Sequence, residues 1–372
     1  MAELIVLALN SGSSSLKFGL YRWRADSVES LLPGDTFPPD VDVGTIARVI
    51  AERNLPAPTA IGHRIVHGGP RQRSHFLIDD STLCLIEQGK AFAPLHAAAT
   101  VRIIAAARLA FPDVPHVACL DTAFHVTLPE HARTLPIDAR LSGGIERSGF
   151  HGLSCASIVH QLGADLPPRL IVAHLGSGAS VTAIQDGRSV DTSMGMTPTG
   201  GMMMATRSGD LDPGVLLFLM RERGLSQVKV EDLVDRRSGL LGVSGISGDL
   251  RELHGVAALQ PTARLAIAMF AIAAAKQIVT MMVSLGGVDA LVFTGGVGEN
   301  DIVMRAAIVE HLSWAGLAID PGLNDVGNGH IAAANAASRI YVLPSNEQDE
   351  IVRTVAASLA RSDAVSWGTD GQ

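Results

Sequence analysis

Aromatic residues and basic clusters are both scarce in this sequence. Ten Phe, three Trp and two Tyr make up 4% of 372 residues, so few rings are available on which the bases of a single-stranded nucleic acid could stack. Lysine and arginine total 29 against 37 aspartates and glutamates, which gives a net charge of −8 at pH 7. A mildly acidic chain without a basic run suits neither nucleic acid nor an anionic membrane. We therefore expect neither as a partner.

Cysteine and long apolar runs are also few. Cys84, Cys119 and Cys155 form no CxxC pair, which argues against a zinc site or a disulfide framework and favours a reducing compartment. The apolar run at residues 4–9 is short and has no basic leader, unlike a secretory signal. The longest run, residues 265–275, falls short of the ~20 residues that a membrane span needs. The expected protein is soluble and cytoplasmic.

Hydrophobic residues nevertheless make up 47% of the chain, enough for a sizeable core. At ~150 residues per domain, the length predicts two domains. Apolar strands alternate with helices predicted at residues 97–109, 213–223, 261–285 and 301–312, and this order indicates an α/β protein. The segment 25–43 and the polar tail after residue 361 are predicted to be loose.

Two hairpins of similar plan lie about half a chain apart. Residues 4–9 and 16–20 flank one Gly/Ser turn, and residues 170–173 and 181–184 flank another, before a tight turn at Asp186-Gly187. The alternation of the second strand slips after Leu20, which predicts a β-bulge or a strand end there. The repeat has two explanations: an internal duplication, or coincidence, because Gly/Ser turns are common.

Three glycine-rich turns follow apolar strands, although no Walker A sequence is present. They span residues 10–17, 174–180 and 295–300. Clustered backbone N–H groups without bulky side chains suit a polyphosphate. The turns therefore indicate a nucleotide site, the alternative being that they are ordinary turns.

Short polar blocks also interrupt the apolar sequence, at residues 63–69, 121–125, 147–152 and 206–213. Each contains His, Arg or Asp, the residue types that hold charged substrates. For any block taken alone, a surface ion pair or a buried histidine with satisfied hydrogen bonds is the default interpretation.

Ten blocks, in chain order, resemble those of acetate kinases. They are residues 10–18, 63–69, 121–125, 149–152, 174–178, 191–195, 206–213, 238–242, 293–300 and 344–347. These blocks extend over nearly the whole chain, so the sequence is similar to the acetate, propionate and butyrate kinase family.

The resemblance implies an α/β protein with the duplicated actin-like fold, shared with sugar kinases, heat-shock chaperone ATPase domains and actin, in which two domains surround a central cleft. The first domain would comprise residues 1–148 plus 349–360. The second, residues 149–348, would carry the nucleotide turns and the contact of a homodimer. The implied reaction is reversible, direct in-line phosphoryl transfer from ATP to acetate, giving acetyl phosphate and ADP, with Mg²⁺ or Mn²⁺.

In this reaction the acceptor needs no general base, because a carboxylate with a pKa near ~4 is already ionised at pH 7. The reaction instead needs the two reactants to be positioned in line, and the charge on the transferred phosphoryl group to be neutralised. The family's catalytic residues match Arg64, Asp121, His151 and Arg207. The acid-binding site matches Arg64, with Val66, Leu95, Phe150 and Pro198 around the methyl group, and the Mg²⁺ site matches Asn10 and Glu347.

The family's nucleotide contacts match Lys17, His174, Leu175, Gly176, Ser177, Gly178, Asp249, Leu250, Arg251, Gly296, Val297, Gly298, Glu299 and Asn300. Ser177 stands where the family usually has Asn, so the sequence leaves the choice of nucleotide open. Two other functions remain as alternatives. One is a propionate or butyrate kinase with a wider pocket, and the other is an ATP-binding regulator with little activity.

Overall fold

A computed structural model describes residues 3–11, 16–38, 43–69, 72–89, 92 and 94–366, without the side chains of residues 35, 94–98 and 362–366. Its strands are β1 Leu4–Ser11, β2 Leu16–Arg24, β3 Ser27–Phe37, β4 Ala60–Ile65, β5 Phe76–Leu77, β6 His116–Leu120, β7 Arg169–Leu175, β8 Ala179–Gln185, β9 Arg188–Thr192, β10 Ala290–Thr294, β11 Gly329–His330 and β12 Arg339–Val342. Its helices are α1 Val43–Glu52, α2 Asp80–Gln88, α3 Pro94–Ala110, α4 Glu130–Arg133, α5 Gly152–Leu162, α6 Pro213–Glu222, α7 Gln227–Arg236, α8 Gly239–Ser244, α9 Leu250–Val256, α10 Pro261–Leu285, α11 Gly295–Asn300, α12 Ile302–Glu310, α13 Pro321–Val326 and α14 Glu347–Ser366.

The chain divides into two compact units. The first comprises Met1–Val126, Gly152–Ser157 and Asn346–Gln372, and the second comprises Thr127–His151 and Ile158–Ser345. The domain limits expected from the sequence, residues 1–148 plus 349–360 and residues 149–348, stay a prediction.

Each unit holds a six-stranded sheet, and the two sheets have the same strand order. The first runs β3-β2-β1-β4-β6-β5 and the second β9-β8-β7-β10-β12-β11. In both, the first three strands are antiparallel neighbours, the next two pairs are parallel, and the last pair is antiparallel. The shared order is that of an internal duplication, so the two hairpins are not a coincidence.

The first sheet is apolar on both faces. Leu7 and Leu9 of β1 pack in one cluster with residues of α1 and α3, whereas Val6 and Ala8 pack in another with residues of α14. Successive side chains of a strand point to opposite faces, so a strand covered on both sides must be apolar throughout. This requirement accounts for the unbroken apolar run at the start of the sequence.

The hairpin predictions are partly confirmed. The pairing of β2 with β3 shifts register on either side of Leu20, as the slip in its alternation predicts. Asp186 and Gly187 both have positive φ, as in the tight turn predicted there. The prediction that the segment 25–43 is loose is wrong for the first part of that segment. Ala25 and Asp26 form a turn with positive φ, and Ser27–Phe37 then pairs along β2, which outweighs the local proline and aspartate content.

Helix α10 begins and ends where the sequence predicts, at Pro261 and Leu285. Within the described residues it is the one helix long and apolar enough to cross a membrane by length and composition. One of its faces, including Phe270, is buried by the protein itself, and the helix packs on β7 and β8. The apolar residues on that face are therefore part of the core. On the other side of the helix, Leu265 and Ile272 are exposed.

The second unit differs from the first in the segment after its third strand. From β3 the chain passes to α1 within a few residues, whereas residues 193–260, with α6 to α9, lie between β9 and α10. This additional segment carries five of the predicted site residues: Pro198, Arg207, Asp249, Leu250 and Arg251.

Candidate active site

In the first unit, the predicted polar residues gather at one edge of the sheet. Asn10 lies near the end of β1, Arg64 lies near the end of the parallel strand β4, and Asp121 directly follows the next parallel strand, β6. Glu347 is the first residue of α14. Because parallel strands place their carboxyl ends along one edge, this is where α/β sheets bind ligands.

Hydrogen bonds join these four side chains. Nε and Nη2 of Arg64 donate to Oδ2 of Asp121 at 3.0 and 2.6 Å, and Nη1 donates to Oδ1 of Asn10 at 3.0 Å. The Asn10 amide in turn donates to Oε2 of Glu347 at 2.7 Å. The structure therefore brings together Arg64, Asp121 and the two residues predicted to bind the metal.

The charged groups of this cluster shift one another's pKa values. Burial alone would lower the pKa of Arg64, but Asp121 and Glu347 together raise it above its usual value. Burial raises the pKa of Asp121; the Arg64 guanidinium opposes that rise, and the nearby Glu347 adds to it. Arg64 is thus held as a cation by two carboxylates.

One carboxylate oxygen of the cluster has an unsatisfied hydrogen-bonding capacity within the described part of the chain. Oδ1 of Asp121 is buried and has no hydrogen-bond partner among the described residues, which is costly unless a ligand supplies one. No group of three or more His, Cys, Asp and Glu side chains in the described ranges could hold a metal ion. Mg²⁺, however, typically takes only one or two carboxylates and completes its shell with water and phosphate oxygens. Asp121 and Glu347, with the Asn10 amide oxygen, fit that mode.

Three other predicted residues belong to the first unit: Val66, Lys17 and Leu95. Val66 follows β4 and is buried. Lys17 is exposed and lies opposite Asn10 in the β1–β2 hairpin, whose turn at residues 12–15 falls outside the described residues. Leu95 lies in α3, and its side chain also falls outside them.

In the second unit, His151 is held in an unusual backbone conformation. It precedes α5 with φ of 57°, in the left-handed region that side chains rarely adopt. Its Nδ1 lies 2.9 Å from Oγ of Ser180 in β8. Its ring stacks on His174 at the end of β7, with the ring centres 4.1 Å apart. The imidazole is therefore fixed by both strands of the β7–β8 hairpin.

His151 and Arg207 meet at the glycine turn between these strands. A Cβ at Gly178 would lie 3.2 Å from Nη1 of Arg207 and 3.3 Å from Nε2 of His151. Arg207 also donates to the carbonyl of Pro198 at 3.2 Å. Phe150, buried, directly precedes His151. The structure thus joins Gly178, His151, Arg207 and Pro198, residues that the sequence places far apart.

The second and third glycine-rich turns lie side by side. A Cβ at Gly295 would lie 2.7 Å from the carbonyl of Leu175, and one at Gly176 would lie 3.9 Å from the amide of Gly296. A Cβ at Gly296 would meet no atom within 4 Å, so this turn has open space beside it. Residues 295–300, predicted as a turn, form the short helix α11 instead, because Glu299 and Asn300 bond back to its first residues.

Glu299 has a structural contact that the sequence did not reveal. Its Oε1 accepts from the amides of Gly295 and Ser345, at 2.9 and 3.1 Å. Val297 and Gly298 lie within the same short helix. The hydroxyl oxygen of Thr294, just before this helix, is buried without a hydrogen-bond partner in the part of the chain that the structure describes.

Asp249, Leu250 and Arg251 begin α9, near the first of these two turns. Asp249 caps the helix and pairs with Arg251 at 2.6 Å, Leu250 is buried, and Arg251 is exposed. A Cβ at Gly248 would lie 2.8 Å from the carbonyl of Ala205, whose amide donates to the carbonyl of Ser177 at 3.3 Å. Ser177 itself is exposed.

Two further residues support the site and were missed at the sequence level. Ser180 contacts His151 through its hydroxyl. Arg305, fully buried in α12, donates to the carbonyls of Gly298 and Glu299 at 3.0 and 2.9 Å and to Asn324. Burial lowers the pKa of Arg305, although Asp301 opposes this. The only sequence signal for Arg305 was its position one turn after the helix-capping Asp301.

Comparison with known proteins gives a consistent result. The profile of the Acetokinase family matches residues 43–353. An acetate kinase from Deinococcus deserti is 40% identical over 94% of this chain and 96% of its own, and acetate kinase 2 from Neisseria meningitidis serogroup A is 38% identical over the same shares. A solved propionate kinase from Francisella tularensis has a TM-score of 0.88 at 33% identity, covering 95% of this chain and 99% of its own. The Porphyromonas gingivalis acetate kinase scores 0.83 at 33% identity, over 96% and 100%. The predicted fold class is confirmed.

Proposed function

Because this chain belongs to the acetokinase family, we propose that it transfers the γ-phosphoryl group of ATP to acetate, reversibly, giving acetyl phosphate and ADP. The relatives named acetate kinase support this activity over nearly the whole chain. Propionate is the second candidate acceptor, because a solved structure named as a propionate kinase resembles the fold with a TM-score of 0.88.

The observation that carries the proposal is the meeting of Arg207 and His151 on the side of Gly178 where a Cβ would stand. Phosphoryl transfer needs little covalent chemistry from the protein, and catalysis comes mainly from positioning and from neutralising charge on the equatorial oxygens. A planar guanidinium and an imidazole N–H are suitable donors to those oxygens. Their position beside the adjacent turns at 174–178 and 295–300 is consistent with ATP phosphates lying there.

Arg64 would bind the carboxylate of the acid, since its guanidinium is fixed in advance by Asp121 and Asn10. Val66, Leu95, Phe150 and Pro198 would surround the methyl group. Mg²⁺, or Mn²⁺ in its place, would be held by Asp121, Glu347 and Asn10. When bound, the cation neutralises charge on the phosphate oxygens. The nucleotide would contact the residues that match the family's nucleotide contacts, which are Lys17 and residues 174–178, 249–251 and 296–300.

The test is a hydroxamate assay of acyl phosphate formation from acetate, propionate and butyrate, each with ATP and with GTP. We expect acetate with ATP to be the best pair. Arg207→Ala should lower kcat by at least ~10²-fold with a modest change in KM for ATP, because its contact forms mainly in the transition state. Arg188→Ala, at an exposed arginine of β9, is the matched control.

If none of the acids were phosphorylated while ATP still bound, the proposal would be overturned in favour of the ATP-binding regulator. Faster turnover of propionate or butyrate than of acetate would move the assignment to those acids.

We also propose that the protein is a homodimer. Helix α6 has no buried residue, yet Leu217, Phe218 and Met220 are large apolar side chains exposed on it. Helices of this length gain most of their stability from packing, and soluble oligomers are mostly symmetric homodimers. Sedimentation equilibrium should give twice the chain mass of 38.9 kDa. Leu217→Arg should shift the mass toward one chain, whereas Leu109→Arg, at an exposed leucine of α3, should not.

A cytoplasmic location completes the proposal. ATP is a cytoplasmic substrate, and Cys84, Cys119 and Cys155 form no disulfide. Free thiols persist in a reducing compartment.

A further inference from the structure

Ser180 and His174 face each other across the β7–β8 hairpin, and both hold the ring of His151. They are register partners in the antiparallel pair. His174 stacks on the His151 ring at an interplanar angle of 21°, and the Ser180 hydroxyl lies 2.9 Å from Nδ1. Ser180 is completely buried. Stacking restrains the plane of the ring, and the hydrogen bond restrains its rotation within that plane.

This arrangement decides which nitrogen of His151 reaches the glycine turn. With Nδ1 engaged by Ser180, Nε2 is the nitrogen that faces Gly178, 3.3 Å from where a Cβ would stand. To donate a hydrogen bond there, Nε2 must carry a proton. A neutral imidazole has a single N–H, so its tautomer is set by what the other nitrogen does.

A serine hydroxyl can act as donor or acceptor toward Nδ1. If Ser180 accepts, Nδ1 carries the proton and Nε2 can donate only when the ring is an imidazolium. Arg207, whose Nη1 approaches the same side of Gly178, is a like charge that disfavours the imidazolium. If Ser180 donates, the neutral ring carries its proton on Nε2, and no second cation is needed beside Arg207.

We propose that Ser180 is a positioning residue: its hydroxyl donates to Nδ1 of His151 and so keeps the proton of the neutral ring on Nε2, directed at the position of the transferred phosphoryl group. This inference rests on the proposed function. It assigns to a strand residue outside the predicted site set the task of fixing both the orientation and the tautomer of His151.

The same strand supplies a matched control. Thr182 lies two residues after Ser180, on the same face of β8, and is also completely buried. Its hydroxyl bonds to Thr192 on the neighbouring strand β9, at 3.0 Å. Removing either hydroxyl costs one buried hydrogen bond, but only Ser180 contacts His151.

The experiment compares Ser180→Ala, Ser180→Thr and Thr182→Val. We expect Ser180→Ala to lower kcat by about 10–100-fold with KM for ATP nearly unchanged, since a misplaced catalytic group costs rates on this scale. Ser180→Thr, which keeps the hydroxyl, should recover most of kcat. Thr182→Val should lose a similar amount of thermal stability and keep kcat. A fall in kcat of equal size in Thr182→Val, or none in Ser180→Ala, would overturn the inference.

A second readout is independent of activity. In protein labelled with ¹⁵N-histidine, the ring signals of His151, assigned by their loss in His151→Asn, report the tautomer directly. We expect the proton on Nε2 in the wild type and a mixture of tautomers in Ser180→Ala. A wild-type proton on Nδ1 would refute the inference. An inactive wild type with the proton on Nε2 would instead refute the proposed function and leave the positioning intact.

Discussion

Arg64 and Arg207 carry the same guanidinium group into different surroundings. Arg64 is bound by Asp121 and lies 4.0 Å from Glu347, so carboxylates fix it before any substrate arrives. The contacts of Arg207 include a carbonyl and the thioether of Met204, neither of which carries a charge. Arg64, already held by carboxylates, suits binding of a ground-state ligand, whereas Arg207 is the arginine proposed to meet the charge that develops during the reaction.

Glu347→Gln should raise the Mg²⁺ concentration needed for half-maximal activity and lower the maximal rate. The substitution removes a charge close enough to Asp121 to raise the pKa of that carboxyl, while the amide oxygen can still accept from Asn10. Activity is measured across a Mg²⁺ titration. Glu350→Gln, one helical turn further along α14, is the control. Unchanged metal dependence would show that Glu347 only anchors the start of the helix.

Val66→Ala should improve kcat/KM for propionate relative to acetate by about tenfold, the scale expected for one methylene group. Burying an extra CH₂ is worth only ~0.8 kcal/mol, so apolar attraction slightly favours longer acids and exclusion by the pocket wall must set any preference for acetate. Steady-state kinetics with both acids measure the ratio. A lowered melting temperature with an unchanged ratio would make Val66, which is buried, a core residue only.

At the scale of elements, the close packing of β4 against α14 depends on Gly62. A Cβ at this position would overlap Cγ2 of Ile351 and lie 2.8 Å from Cγ2 of Val355, both buried in the helix. The glycine therefore lets helix and strand approach closely. This matters for the site because Arg64 lies two residues further along β4 and Glu347 begins the same helix.

Gly62→Ala should destabilise the protein by about 1–3 kcal/mol, the usual cost of overpacking a core. Urea unfolding measures the free energy. Gly143→Ala, where a Cβ would meet nothing within 4 Å, should cost far less. Adding Ile351→Ala to Gly62→Ala should cost less than Ile351→Ala costs in the wild type. Equal costs of Ile351→Ala in both backgrounds would disprove the predicted overlap.

The sequence predicted elements well where a local pattern determines them. β1, α10 and the bulge near Leu20 follow from apolar runs and alternation. β3 was missed because its pairing with β2, not its composition, makes it a strand. Ser180 was missed for a related reason: a small hydroxyl in an apolar strand gives no signal, and its meaning comes from facing His174 in the hairpin register.

At the scale of the whole molecule, buried histidines are concentrated in the first unit. His63 lies 2.9 Å from His116 through their ring nitrogens, and His67 stacks on Phe92. Burial and the neighbouring His116 lower the pKa of His63 well below its usual value, burial lowers that of His67 to about 4, and burial also lowers that of His116. All three are therefore neutral in the folded protein near neutral pH.

The free energy of unfolding should fall as pH drops below about 6.5. Between that value and about 4 an unfolded His67 binds a proton while the folded one does not, so protons favour unfolding. The lowered pKa values of His63 and His116 act in the same direction. His67 alone should contribute a loss on the order of 2 kcal/mol by about pH 5. Urea unfolding at a series of pH values measures this slope. His67→Gln should flatten it, and His330→Gln, at an exposed histidine, should not. A free energy constant over this range would contradict the prediction.

The packing of α14 on the first sheet has a consequence for how the protein is made. Ile351, Val352 and Val355 cover the face of the sheet formed by Val6, Ala8 and Val117. On the ribosome, these strands emerge early, and the helix that covers them is translated only after the whole second unit. Until then that apolar face has no cover from α14, and transiently exposed apolar surface makes a partly folded chain prone to aggregation. The order of translation thus makes the first sheet the last part of the protein to be completed.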